Sequence, residues 1–148
     1  MADTQRLDEW LSALLTQLSA GERKTLMRDV ARTLRQQQQA RIRLQQNPDG
    51  TAFAPRRTTS RNKAGRIRRQ MFSKLRTAKY LKATASADMA SVAFTGAVQR
   101  IARVHHYGLR DRVRPRGPRV QYAQRQLLGL DERQTRLIAE TIVARLSR

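Results

Sequence analysis

The 148-residue chain predicts an α+β fold: an N-terminal helical pair, a small antiparallel sheet and a C-terminal helix packed on that sheet. Three observations carry this expectation. Apolar residues recur at helical spacing near both ends of the chain. The period changes to two between residues 80 and 96. Cap and turn signals (Ser19…Glu22, Asn47-Pro48-Asp49-Gly50 and Asp131…Gln134) fall between the periodic segments. The length fits a single domain. Within it, 1–46 reads as a helical part, 47–65 as an exposed basic loop and 66–148 as an α+β body.

Leu7, Trp10, Leu11, Leu14, Leu15 and Leu18 make one apolar stripe and predict a helix over 4–18. Asp3 or Thr4 is placed to cap it, and Asp8 and Glu9 suit the positive end of its dipole. The stripe is expected to pack on the following helix, and Trp10 is also a candidate contact for another subunit. Ser19-Ala20-Gly21-Glu22 has the capping-box pattern and predicts a second helix to about Gln46. Leu26, Val30 and Leu34, flanked by Met27 and Ala31, form its apolar side. The signal then fades into Gln36-Gln37-Gln38-Gln39. Glutamine is a good helix former, so this stretch is expected to face solvent or meet a polar neighbour. Ile42 and Leu44 resume the apolar side weakly. So short a connection predicts an antiparallel or sharply angled helical pair.

Asn47-Pro48-Asp49-Gly50 stops the second helix. From Thr51 to Gly65 the chain is polar, basic and without period, a long exposed loop tacked down at its start by Phe53. Ile67, Met71, Phe72 and Leu75 return at helical spacing among Arg68, Arg69, Lys74, Arg76 and Lys79. They predict a short amphipathic helix over 66–79 with its apolar face on the core; a membrane-surface helix shares the pattern but is the rarer cause. Residues 80–86 and 90–96 predict a β-hairpin turning at Ser86-Ala87-Asp88-Met89. Val98, Ile101, Ala102 and His105, with Val104 beside them, predict a short helix capped by Gly108. Arg110 to Arg119 is a predicted loop, broken by Pro115, Gly117 and Pro118, and Val120-Gln121-Tyr122 resumes extended chain. Leu127, Leu128 and Leu130 form an apolar patch. The final helix, opened by Asp131 with Gln134, is expected to bury Leu137, Ile138, Thr141, Ile142 and Leu146.

The net charge is +20, and it is segregated. Residues 41–82 hold 13 Lys or Arg against one Asp, and residues 100–125 hold 8 Arg against one Asp. No glutamate occurs between Glu22 and Glu132. A solvated surface interleaves both signs; one-signed blocks favour an acidic partner, whether nucleic acid, an acidic protein face or anionic lipid. Arg outnumbers Lys 26 to 5, and its planar fork suits fixed, bidentate pairing, although a genome-wide Arg bias gives the same ratio. Candidate partner contacts are therefore Arg56, Arg57, Arg61, Arg66, Arg68, Arg69, Arg110, Arg112, Arg114 and Arg116, with Trp10.

The chain has no cysteine, which excludes disulfides, thiolate metal sites and thiol catalysis. Adjacent His105 and His106 point about a hundred degrees apart on a helix and so seldom share a metal. His105 is expected on the packed face, and His106 exposed or hydrogen-bonded. Eight of the 11 carboxylates lie in the terminal helical regions, and no Gly-rich phosphate loop or Gly-x-Ser-x-Gly motif occurs. No catalytic, cofactor-binding or metal-binding residue is assigned, and the expectation is a protein that is not an enzyme. The aromatics near the basic blocks (Phe53, Phe72, Tyr80, Tyr107 and Tyr122) are too scattered for a base-stacking platform. Nonspecific contact with a nucleic-acid backbone stays open as the alternative function. Neither a signal-peptide pattern nor a membrane-length apolar run is present, so the expected chain is soluble, has no membrane partner and remains in the compartment where it is made.

Several segments, in order, resemble the phage virion morphogenesis family, the S-type tail completion proteins of contractile-tailed phages. They are Gln45-Gln-Asn-Pro-Asp-Gly-Thr-Ala-Phe-Ala-Pro55 after a glutamine-rich helix, Met71-Phe-Ser-Lys-Leu-Arg76, Phe94-Thr-Gly96, Ile101-Ala-Arg-Val-His-His-Tyr-Gly108, and Val120-Gln-Tyr-Ala-Gln-Arg-Gln-Leu-Leu-Gly-Leu130. The last two also resemble the wider head–tail joining fold. Where related sequences often place a proline, this chain has Gln124-Arg125, which implies a looser turn into Leu127. The resemblance implies a structural protein of the virion neck or tail, made in the host cytoplasm. It would complete the tail and help join it to the head as a homo-oligomeric ring. Its partners would be other neck and tail proteins, such as the tail terminator and the head–tail connector. It implies no cofactor and no catalytic residue.

Overall fold

A computed structural model describes residues 2–56 and 70–146. Eight elements follow in order: α1 Ala2–Leu15, α2 Ala20–Arg43, β1 Leu81–Ala85, β2 Ala90–Phe94, α3 Gly96–Tyr107, β3 Arg110–Arg112, β4 Arg119–Gln121 and α4 Glu132–Leu146. The α+β class is as expected, but the C-terminal helix packs chiefly on α2 and α1 rather than on a sheet. The strands form two separate antiparallel ribbons, β1–β2 and β3–β4.

The helix starts follow their caps. Ser19 Oγ accepts the Glu22 N–H at 3.2 Å. Asp131 and Gln134 satisfy each other's backbone: Gln134 N–H donates to Asp131 Oδ1 at 2.7 Å, and Asp131 N–H to Gln134 Oε1 at 3.1 Å. α1 departs from expectation at both ends. It opens at Ala2, ahead of the caps proposed at Asp3 or Thr4, and stops at Leu15, where tight turns at Gln17 and Leu18 swing the chain into α2.

Two apolar clusters divide the interior. In the first, Leu15, Leu26, Met27, Val30, Ile138 and Ile142 are buried, with Trp10 and the rest of the α1 stripe half-buried against them. α1 lies mainly against α4, so its stripe reaches past α2 to the last helix. Ala85 and Ala90, at the turn end of the first ribbon, pack on the same cluster. The second cluster gathers Ile42, Phe53, Leu75, Val98, Ala102 and Leu127, with Met71, Phe72, Tyr80 and Phe94 packed around it. Phe53 is the anchor expected of it, 6% exposed and edge-on to Phe72 at 5.7 Å.

Three expectations are corrected. Only 70–79 of the amphipathic helix expected over 66–79 lies among the described residues, and there the chain makes successive turns. Phe72 takes φ +65, a left-handed conformation that no α-helix interior accommodates. Met71, Phe72 and Leu75 still reach the second cluster. Second, Ile101, expected on the helical face of His105, and Leu137, expected on a buried stripe, are 52% and 47% exposed. Each sits one position off the true contact face, which is carried by Val98, Ala102 and Val104 in α3 and by Ile138 and Ile142 in α4. Third, the loop expected over 110–119 is itself the β3–β4 hairpin.

The turn into Leu127 is pinned rather than loose. Arg125, 6% exposed, donates from Nε to Ala54 O at 2.8 Å and from Nη2 to Pro55 O at 3.0 Å. Gly108 caps α3 at φ +66, where a Cβ would lie 2.9 Å from Gln124 Cβ, so the close pass of this segment requires glycine.

Candidate assembly interface

The exposed arginines are held forward by a buried polar frame. α2 ends in a row of side chains that donate to and accept from passing loops. Arg41, 5% exposed, donates to Gly129 O at 2.7 Å, Gln134 Oε1 at 3.0 Å and Gln38 Oε1 at 2.5 Å. Gln38 Oε1 also accepts the Gly129 N–H at 3.0 Å. Gln37 Nε2 donates to Gln134 O at 3.2 Å, and Gln39 Nε2 to Arg76 O at 2.8 Å. The glutamine run therefore meets polar neighbours, the second of its two expected fates. Burial lowers the affinity of the Arg41 guanidinium for its proton, and nearby Asp131 opposes that effect.

The Gln45–Pro55 segment is part of the same frame. Gln45 Nε2 donates to Met71 O at 2.9 Å, and its Oε1 accepts the Met71 N–H at 3.2 Å. Asn47 Oδ1 accepts the Gln126 N–H at 2.9 Å. Pro48 packs so closely on Gly129 that a Cβ there would sit 2.6 Å from Pro48 Cγ.

The histidines are structural, as their helical placement suggested. His105 stacks edge-on between Phe72 at 5.0 Å and Tyr122 at 4.8 Å. His106 Nδ1 accepts the Leu127 N–H at 3.1 Å, which fixes a neutral tautomer with its proton on Nε2. Burial depresses the proton affinity of both rings, helped by Arg125 beside His105 and by Arg41 beside His106.

The β3–β4 hairpin springs from the end of α3, where Tyr122 N–H donates to Leu109 O at 3.1 Å. Its register sets Arg110 opposite Gln121, Asp111 opposite Val120 and Arg112 opposite Arg119. Strand alternation puts Arg110, Arg112, Arg119 and Gln121 on one face and Asp111 with Val120 on the other. Arg100 of α3 donates from Nη2 to Asp111 Oδ1 at 2.7 Å, tying the back of the hairpin to the helix. That hydrogen bond, followed by a backbone one from Arg112, holds the Asp111 carboxyl below the usual carboxylate range. The front face carries arginine directly opposite arginine, which disfavours the ribbon by about 0.2–1 kcal/mol unless an anion lies between them. Arg114 and Arg116 occupy the exposed tip, closed by Gly117 N–H donating to Arg114 O at 2.9 Å.

Of the residues proposed as contacts, Arg110, Arg112, Arg114 and Arg116 come together on this hairpin. Arg56 is exposed at the end of the Phe53 segment, apart in sequence from them. Trp10 is half-buried in the first cluster, as a packing residue would be. Arg57, Arg61, Arg66, Arg68 and Arg69 lie outside the described residues. Arg100, Arg103 and Arg119 were missed. Period-two spacing from Arg110 to Arg112, continued at Arg119 and Gln121, could have revealed the ribbon.

Among the described residues no three metal-ligating groups converge, and no helix is long and apolar enough to cross a membrane. The phage virion morphogenesis family matches the chain over residues 2–147. Tail completion protein S of Escherichia phage P2 is 40% identical over 150 residues, covering 100% of both chains. No solved structure matches.

Proposed function

Because the chain belongs to the phage virion morphogenesis family, we propose that it is a structural, non-catalytic protein that completes the phage tail and helps join the tail to the head. In this reading it works in the virion neck as a subunit of a homo-oligomeric ring, through contacts with neighbouring tail and neck proteins. The observation that carries it is the arginine face of the β3–β4 hairpin, where Arg112 stands directly opposite Arg119. Such a face is stabilised when an acidic surface docks on it. Arg56, Arg57, Arg61, Arg66, Arg68 and Arg69 would extend the contact, and Trp10 would serve only if α1 shifts. Changing Arg110, Arg112, Arg114, Arg116 and Arg119 together to Gln leaves the frame intact. It is expected to lower the yield of completed, head-joined particles by more than about tenfold, the loss when contacts worth about 1.4 kcal/mol disappear. Particle imaging with normal tails would sink this reading. Light scattering of the isolated protein tests the ring: a monomer at every concentration and with every neighbour added would refute it.

The arginine face of the hairpin also suits phosphate, so nonspecific DNA binding is the second reading. A gel shift titrated with salt separates the two. Binding to any duplex that weakens steeply with salt supports DNA contact.

A further inference from the structure

Among the described residues, no strand pairs with the outer edge of β2. Thr95 N–H donates to Tyr80 O, and Ser86 N–H to Met89 O. With Ala83 opposite Val92 and Leu81 opposite Phe94, ladder alternation turns the backbone of Ser91 and Ala93 toward β1. The N–H and C=O groups of Val92 and Phe94 therefore point away from β1. Among the described residues these groups have no hydrogen-bond partner. Natural edge strands are usually blunted by a charge, a proline or a bulge. β2, Ala-Ser-Val-Ala-Phe, has no charge and no proline, and its register runs without a bulge.

This edge opens into a cleft of 990 Å³ between β2 and α3. Val92, Phe94 and Ala102 line it on the apolar side, and Arg100 and Arg103 on the polar side. No described carboxylate lines it. Arg103 is exposed and makes no ion pair among the described residues.

We infer that the β2 edge and this cleft are a docking site for an extended, acidic segment of another protein, which adds to β2 as a third strand. The backbone of the incoming segment pairs with Val92 and Phe94 at the spacing of a β-ladder, about 4.8 Å. One set of its alternating side chains covers the apolar wall, and its carboxylates meet Arg103 and the outer face of Arg100. A second copy of this chain fits poorly. Its own β2 is uncharged and brings no carboxylate to Arg103, its extended segments 51–56 and 119–127 carry arginine, and its acids sit mostly in and beside helices. The site is distinct from the hairpin face, so it stands or falls separately from the proposed role of that face.

The test uses the full chain and two synthetic decapeptides, one alternating Glu with Val and the other Lys with Val. Amide exchange is followed residue by residue by NMR. The Glu–Val peptide is expected to slow exchange at the Val92 and Phe94 N–H, and the Lys–Val peptide is expected not to. Val92→Pro removes an outward N–H and changes one side chain of the apolar wall but breaks no β1–β2 ladder bond, so the pairing survives, while binding of the Glu–Val peptide weakens by at least about tenfold. Arg103→Glu, on an exposed helix face, should weaken it similarly without touching the strand. Binding without protection at Val92 and Phe94 overturns the inference. So does equal protection by both peptides, or unchanged binding in both variants.

Discussion

Toward its N-terminus α2 meets α1 and α4 through Leu26, Met27 and Val30; toward its C-terminus it meets the loops through Gln37, Gln38 and Arg41. The difference follows from what each end packs against. Helices satisfy their own backbone, so side chains between them need only fill space. The loops at 45–55, 71–76 and 125–131 present unpaired N–H and C=O groups, and a buried group of that kind must find a partner. Arg41 and Gln38 supply donors and acceptors from a rigid helix, and Gln45 from just beyond its end, to segments that have no ladder of their own. One end of the molecule is therefore specified by volume and the other by hydrogen-bond geometry.

The largest expected effect lies at the polar end. Arg41→Lys keeps the charge but cannot reach Gly129 O, Gln134 Oε1 and Gln38 Oε1 together. A loss of about 3 kcal/mol is expected in urea unfolding, because buried acceptors are left unmet. A smaller effect is expected from acid. His105 and His106 are held neutral in the folded protein, so below about pH 6.5 the unfolded state takes up more protons and stability falls. The urea midpoint should drop between about pH 7.5 and about pH 5.5, and less so in a His105→Asn, His106→Asn double variant. An unchanged acid dependence in that variant would move the effect elsewhere. The smallest effect belongs to the apolar end: Leu26→Met conserves volume and should cost under about 1.5 kcal/mol. If it cost more than Arg41→Lys, the contrast between the two ends would collapse.

Much of this division is legible in the sequence, but unevenly. The α2 and α4 caps, the Gly108 stop and the β1–β2 hairpin lie where local spacing predicts them. Phe72 is where local reading fails, since Met71, Phe72 and Leu75 keep helical spacing while the backbone turns left-handed at Phe72 to reach Phe53 and His105. Arg41 and Arg125 counted as part of the basic charge, yet both are buried and structural. Nothing local distinguishes them from Arg110 or Arg112. Their partners lie far along the chain, at Gly129 for Arg41 and at Ala54 and Pro55 for Arg125.

The sequence by itself determined the α+β class, the order of most elements, the one-signed charge and the likeness to a virion family. These depend on periodicity, caps and composition, which act over a few residues. Only the tertiary structure decided which arginines hold the frame and which face outward, that 110–121 is a ribbon with Arg112 opposite Arg119, and that the β2 edge lies open beside α3. Those features depend on which distant segments come within hydrogen-bond distance, and chain closure through the buried frame sets that.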